Sequence, residues 1–226
     1  MAPAEGILFD FGGTLDADGV QWGQRFYAFY QAQGGKLAAP QFDRVYAESD
    51  RILSGEEGIW ARDLSGTVAA QVGTLRRLLP DGARLDAEAW AGAFLDGVRG
   101  MVERNRELLT GLAGRYALGV VSNFFGNLRL CLDELGLTSL FSVTTDSVQV
   151  GLWKPDPRIF LLTVAGLGLA PAACWMVGDN PQADIEPAAA LGMRTCWLAP
   201  STRPVPAGLA PTRRLNRLTD LTAALG

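Results

Sequence analysis

Histidine is missing altogether: none occurs among the 226 residues. Its absence excludes histidine-based triads, histidine zinc sites and histidine general bases together. Any acid–base work therefore falls to carboxylates, lysine, tyrosine, cysteine or bound water. Cysteine is scarce. Cys131, Cys174 and Cys196 are odd in number and too widely spaced for a zinc motif, and the apolar runs around Cys174 and Cys196 predict buried free thiols. Long apolar runs are also lacking. None approaches the ~18 residues that a membrane span needs, so no membrane association is expected. Positive charge is in deficit, with 20 Lys and Arg against 24 Asp and Glu and a net charge of −4. This argues against a nucleic-acid partner, which demands a basic surface to neutralise phosphates, while a small anionic ligand is compatible with a locally positive pocket. The amino-terminal stretch has no basic start and soon reaches an acidic residue, which predicts a cytoplasmic location rather than a secretory signal.

What is present points to a compact enzyme-sized chain. Hydrophobic residues make up 48% and charged residues 19%, enough for one well-buried core and a modest second lobe. Short apolar runs bounded by turn residues predict buried parallel strands at 6–9, 117–121, 174–177 and 194–198, with a weaker one at 140–144. Helical patterns lie between them at 127–135, 157–167 and 182–191, and this alternation implies a doubly wound, Rossmann-like α/β sheet. A Pro-rich loop at 200–211 precedes a short terminal strand and helix. Residues 20–109 differ. They carry amphipathic helical patterns at 22–33, 41–53, 65–79 and 86–109 and no convincing strand. The predicted organisation is an α/β core of residues 1–19 and 110–226, interrupted by an all-helical cap domain at 20–109.

In open α/β sheets, ligands bind beyond the carboxyl ends of the strands. Here the first run ends at Asp10, the second at Ser122-Asn123 and the fourth at Gly178-Asp179-Asn180. Each stops at a side chain able to react, ligate a metal or donate a hydrogen bond. Asp10 leads into Phe11-Gly12-Gly13-Thr14, whose glycines permit a tight turn and close backbone approach to an anion. Hard divalent cations favour oxygen ligands, so Asp10 and Asp179 at neighbouring strand ends can share one Mg²⁺. Asp184 either joins them or stabilises the start of the helix that follows it. Lys154 lies in a Pro-braced loop just before Asp156, an N-cap, and Pro157, the first helical residue. A cation beside a helix N-terminus suits phosphate.

Taken in order, these segments resemble the motifs of the haloacid dehalogenase superfamily of hydrolases, over nearly the whole chain. Asp10-Phe11-Gly12-Gly13-Thr14 is similar to the nucleophile loop, Ser122-Asn123 to the phosphate-binding second motif, Lys154 to the third, and the stretch from Gly178 to Asp184 to the acidic metal motif. The resemblance implies a magnesium-dependent hydrolase of a small phosphorylated metabolite, a phosphomonoester or acyl phosphate. Asp10 would attack phosphorus and form an aspartyl-phosphate. Mg²⁺ would be held by Asp10, the Gly12 carbonyl and Asp179, with Asp184 as a ligand or just behind them. Ser122, Asn123 and Lys154 would bind the phosphoryl oxygens.

One position departs from that pattern. Phosphatases of the superfamily carry a second Asp two residues after the nucleophile, as general acid and base, and here Gly12 stands there. Lost proton delivery typically costs about 10²–10⁴-fold in rate. The departure leaves three readings: a phosphatase that is slow or takes good leaving groups, a catalytically impaired binding or regulatory protein, and, third, a 2-haloacid dehalogenase. The dehalogenases usually have Tyr at that position and lack the metal carboxylate, whereas Asp179 and Asp184 are retained. Asp16 and Asp18 are nearby substitute acids, although turn and linker roles are the simpler expectation. Trp22, Arg25 and Tyr46 could line the cavity, against a default of helical core packing. Arg44, Arg51 and Arg62 are cap cations whose default is a solvated face.

Overall fold

The computed structural model describes residues 5–225. In chain order it contains β1 (Gly6–Phe9), α1 (Trp22–Ala32), α2 (Ala39–Ser54), α3 (Leu64–Leu78), α4 (Ala87–Ala113), β2 (Ala117–Ser122) and α5 (Leu128–Glu134). There follow β3 (Val143–Asp146), α6 (Ser147–Val150), α7 (Pro157–Gly166), β4 (Cys174–Gly178), α8 (Glu186–Ala190), β5 (Arg194–Leu198), β6 (Arg213–Leu215) and α9 (Leu221–Ala224). The six strands form one parallel sheet in the order β3-β2-β1-β4-β5-β6. This is the expected α/β, Rossmann-like class.

The sheet is apolar on both faces because both are covered. Alternate residues of β1 separate into the two cores: Ile7 and Phe9 pack with the helices of the insertion, Leu8 with Ile159, Phe160 and Met176. The sheet order puts β1 between β2 and β4, in register from Gly6 to Phe9 on both sides. Residues just beyond these three strands consequently share one edge, where the order of strands reverses.

The segment between β1 and β2 is helical, as its periodicity predicts. α2, α3 and α4 pack side by side, and α4 runs without a break to Ala113, directly before β2. Aromatic residues join these helices to the sheet. Phe26 stacks on Phe94 with ring centroids 4.2 Å apart, and Trp22 meets Phe11 and Phe124 edge-to-face. Burying such large rings supplies most of the cohesion here, roughly 25 cal/mol for each Å² of apolar surface removed from water. Cys174 and Cys196 are buried and free, as their apolar runs predict, and so is Cys131. No helix of the described residues is long and apolar enough to cross a membrane.

Candidate active site

Asp10 follows β1 directly, and its backbone N–H still donates to the Val177 carbonyl of β4 over 2.9 Å. The chain then turns sharply through Gly12 and Gly13. Gly13 has φ of +96°, and a Cβ there would stand 2.8 Å from Asp179 Oδ1. Both the positive φ and the close approach require glycine. The turn is braced from inside by Asp16, 1% exposed, whose Oδ1 accepts from the Gly13 N–H at 2.6 Å. Its Oδ2 accepts from Trp22 Nε1 at 2.6 Å and Arg25 at 2.7 Å. Burial raises the Asp16 carboxyl above its ordinary range, with Arg25 opposing the rise. Asp18 pairs with Arg104 at 2.8 Å and caps the Leu218 N–H. Neither acid lines the cavity described below; both serve the turn and the linker.

Five predicted residues converge on one buried cluster. Asp10 Oδ1 accepts from Ser122 Oγ at 2.9 Å and from Lys154 Nζ at 2.6 Å. The same ammonium group donates to Asp184 Oδ1 at 2.6 Å. A carboxylate oxygen from each of Asp10, Asp179 and Asp184 lies within 4.8 Å of the others, and all three residues are buried. Asp184 does not act as the helix cap: Asn180 does, accepting from the Gln182 and Ala183 N–H groups, while Asp184 turns inward and takes the Asn180 N–H on Oδ2. Asn123 is the predicted residue with a different use. Its amide donates to the Lys154 carbonyl at 2.9 Å and accepts from the Lys154 N–H at 2.8 Å, so the side chain anchors the lysine loop. As expected, Asp156 caps α7 and Pro157 opens it.

The electrostatics of this cluster are unbalanced. Burial works against the charge on Lys154, but Asp10 and Asp184 outweigh it and hold the ammonium group above the ordinary lysine range. One ammonium cannot neutralise three carboxylates. Burial pushes the Asp184 carboxyl up to about 6 despite Lys154 beside it. Burial, followed by the charges of Asp10 and Asp184, pushes Asp179 well above the usual carboxylate range. Asp179 Oδ2 is also buried with no hydrogen-bond partner. An unpartnered buried oxygen is costly, and a hard cation answers both the missing contact and the missing charge.

The cluster forms the floor of a cavity of about 480 Å³. Gln21 and, from the helices between β1 and β2, Trp22, Asp43, Tyr46 and Asp50 also line it. Trp22 and Tyr46 thus occupy the suspected position, whereas Arg25 is engaged by Asp16 and the Phe94 carbonyl. Arg51 pairs with Glu48 and Arg62 with Glu56, and Arg44 is exposed; none of the three lines the cavity. Among the described lining residues Lys154 is the only cation. Sequence reasoning missed Asp43 and Asp50. Their signal was the spacing 43, 46, 50, one stripe of α2 beside the buried stripe of Phe42, Ser49 and Leu53.

Comparison with known proteins places these features in a family. A model of the haloacid dehalogenase-like hydrolases matches residues 4–192. A phosphoserine phosphatase of Thermus thermophilus is 37% identical over 109 residues, which cover 48% of this chain and 44% of that protein. A pyrimidine 5′-nucleotidase of Escherichia coli is 32% identical over 120 residues, covering 52% and 53% respectively. The matches therefore span about half the length of these relatives. In three dimensions, an L-2-haloacid dehalogenase of Xanthobacter autotrophicus superposes with a TM-score of 0.60 at 18% identity, over 100% of this chain and 98% of that one. At such low identity the likeness is one of fold.

Proposed function

Because this chain belongs to the haloacid dehalogenase-like hydrolases, we propose that it is a magnesium-dependent phosphohydrolase of a small phosphorylated metabolite, working through an aspartyl-phosphate on Asp10. Its helical segment, residues 20–109, acts as a cap on the α/β core and provides the substrate-facing wall. The observation that carries this reading is the buried, unpartnered Oδ2 of Asp179, a residue whose carboxylate comes within 4.8 Å of those of Asp10 and Asp184. Asp10, Asp179 and the Gly12 carbonyl would hold Mg²⁺, with Asp184 at their back. Bound there, the ion supplies positive charge against the carboxylates and the phosphoryl group.

The chain's own groups then have defined tasks. Asp10 is the nucleophile, and its Oδ1 is already oriented by Ser122 and Lys154. The same two donors pass to the phosphoryl oxygens as charge spreads over them in the transition state. Asn123 keeps the Lys154 backbone in register with β2. Trp22, Tyr46 and Phe124 narrow the cavity and exclude water. Retention of Asp179 and Asp184 supports phosphoryl transfer over dehalogenation.

The test is phosphate release from p-nitrophenyl phosphate and acetyl phosphate, with Mg²⁺ and with chelator, alongside halide release from 2-chloropropionate. Phosphate release that needs Mg²⁺ and vanishes in Asp10→Asn is expected. Metal-independent halide release, or turnover that survives Asp10→Asn, would overturn the proposal.

A further inference from the structure

We propose that Asp50, on the insertion side of the cavity, protonates the departing oxygen of the substrate and later takes a proton from the attacking water. The proposal rests on the phosphohydrolase reading of the same cavity. An alkyl leaving group departs as a strongly basic alkoxide unless a proton reaches it, so some donor must face the phosphorus from the side opposite Asp10.

The floor of the cavity offers none. Ser122 and Lys154 already donate to Asp10, and Lys154 is held as an ammonium ion between two carboxylates. Asp179 and Asp184 belong to the cation cluster. Gly12 has no side chain, and the indole of Trp22 covers the place where one would begin. Asp16 is sealed behind the loop with both oxygens engaged. Among the lining residues of the insertion, Gln21 and Trp22 have no proton to transfer, and Asp43 is exposed.

Asp50 differs from all of these. It lines the same cavity as Asp10. It is reached by Gln71 Nε2 of α3 at 3.0 Å and by the Tyr46 phenol one turn earlier on α2. Gln71 is itself fixed, donating to Ser49 Oγ at 2.6 Å. Tyr46 is the one titratable group in contact with Asp50, α3 contributes the neutral Gln71, and the charges of Asp10, Lys154, Asp179 and Asp184 stand across the cavity. No cation among the described residues pairs with it. Burial pushes its carboxyl up to about 7, only partly offset by the two hydrogen bonds. Such a group keeps its proton near neutrality and releases it readily, the property a general acid needs.

In the first step an Asp10 oxygen bonds to phosphorus, the bond from phosphorus to the departing oxygen breaks, and the Asp50 proton moves to that oxygen, releasing the alcohol. In the second, water bonds to phosphorus, its proton passes to the Asp50 carboxylate, and the Asp10–phosphorus bond breaks. Inorganic phosphate leaves, with Asp10 ionised and Asp50 protonated as at the start. The first of these proton transfers serves alkyl phosphates, since the carboxylate of an acyl phosphate leaves without help; the second step is common to both.

The experiment compares acetyl phosphate with a panel of alkyl phosphates headed by glycerol 2-phosphate, in Mg²⁺, for the wild-type chain and Asp50→Asn. Substitution should raise the ratio of acetyl phosphate to alkyl phosphate kcat/KM, which reports the first step and not the shared hydrolysis of the Asp10 adduct, by about 10²-fold or more. The wild-type chain itself should show alkyl phosphate kcat/KM falling as pH rises through about 7, with no such fall for acetyl phosphate, a readout that needs no variant to fold. An unchanged kcat/KM ratio, or matching pH profiles of kcat/KM, would overturn the assignment of Asp50 and leave Asp10 untouched. A wild-type chain that releases phosphate from neither class overturns the phosphohydrolase reading as well.

Discussion

Trp22 Nε1 stands 3.3 Å from the point where a Cβ on Gly12 would lie, so the indole ring occupies the ground beside the smallest residue of the nucleophile loop. The ring cannot move away freely. Asp16 accepts from its nitrogen at 2.6 Å, and Phe94 and Phe124 pack edge-to-face with ring centroids 5.0 and 5.7 Å away. Gly12→Ala should therefore overpack the site and lower stability by about 1–3 kcal/mol. Urea unfolding followed by tryptophan fluorescence checks this, and identical midpoints would show that the ring yields.

Lys154 is the single cation among the described residues of the cavity. Replacing it by Met leaves Asp10 and Asp184 buried without their counter-charge, and breaking a buried pair in this way costs about 3–5 kcal/mol. Mg²⁺ should recover part of the loss by mass action on the folded state. In a thermal melt, Lys154→Met should start lower than wild type and gain more from added Mg²⁺. Equal gains in the two proteins would detach the lysine from the carboxylate cluster.

Asp50 gives stability a pH dependence of its own. Its carboxyl titrates near 3.8 when unfolded and about 7 when folded, so between those values folding takes up a proton. The contribution is fully present below pH about 4 and is lost as pH rises through about 7, on the order of 4 kcal/mol at most for a shift of this size. Denaturant unfolding of wild type and Asp50→Asn at pH 4 to pH 8 separates this effect from the other acids. The wild type should lose ground against the variant as pH rises, and parallel curves would contradict it.

Asn123 acts through Lys154, which it grips by both backbone groups. Asn123→Ala should lower kcat about tenfold or more with KM little changed, because a misplaced cation chiefly weakens transition-state stabilisation. A rise in KM alone would assign the side chain to substrate binding instead.

Much of this arrangement is legible in the sequence, for a physical reason. β1 is a short apolar run closed by Asp10, β5 is apolar from Cys196 to Leu198, and both were readable to the residue at Gly6–Phe9 and Arg194–Leu198. β3 is less clear: it forms at Val143–Asp146, later than the 140–144 expected, because Leu140 closes a tight turn and Val143 and Thr144 are only half-buried at the sheet edge. α4 outruns its expected end at 109 because Leu112 continues the buried stripe of Val102 and Leu109 down to the sheet. α2 begins at Ala39 rather than 41, with Pro40 tolerated in its first turn. The strand-end acids were legible because each terminates an apolar run. Asp50 was not, since one carboxylate on an amphipathic helix looks like solvated surface until the helix is docked against α3. Nor does any local pattern tell that Trp22, ten residues on, folds back over Gly12.

The central claim is that Asp10 carries the phosphoryl group between two chemical steps. Rapid quenching of the chain with acetyl phosphate and Mg²⁺, followed by acid-stable peptide mass spectrometry, tests it most directly. The account predicts a transient phosphoryl adduct on the peptide containing Asp10, absent without Mg²⁺ and absent in Asp10→Asn. Phosphate release with no adduct at any time point, or an adduct on another residue, would contradict it.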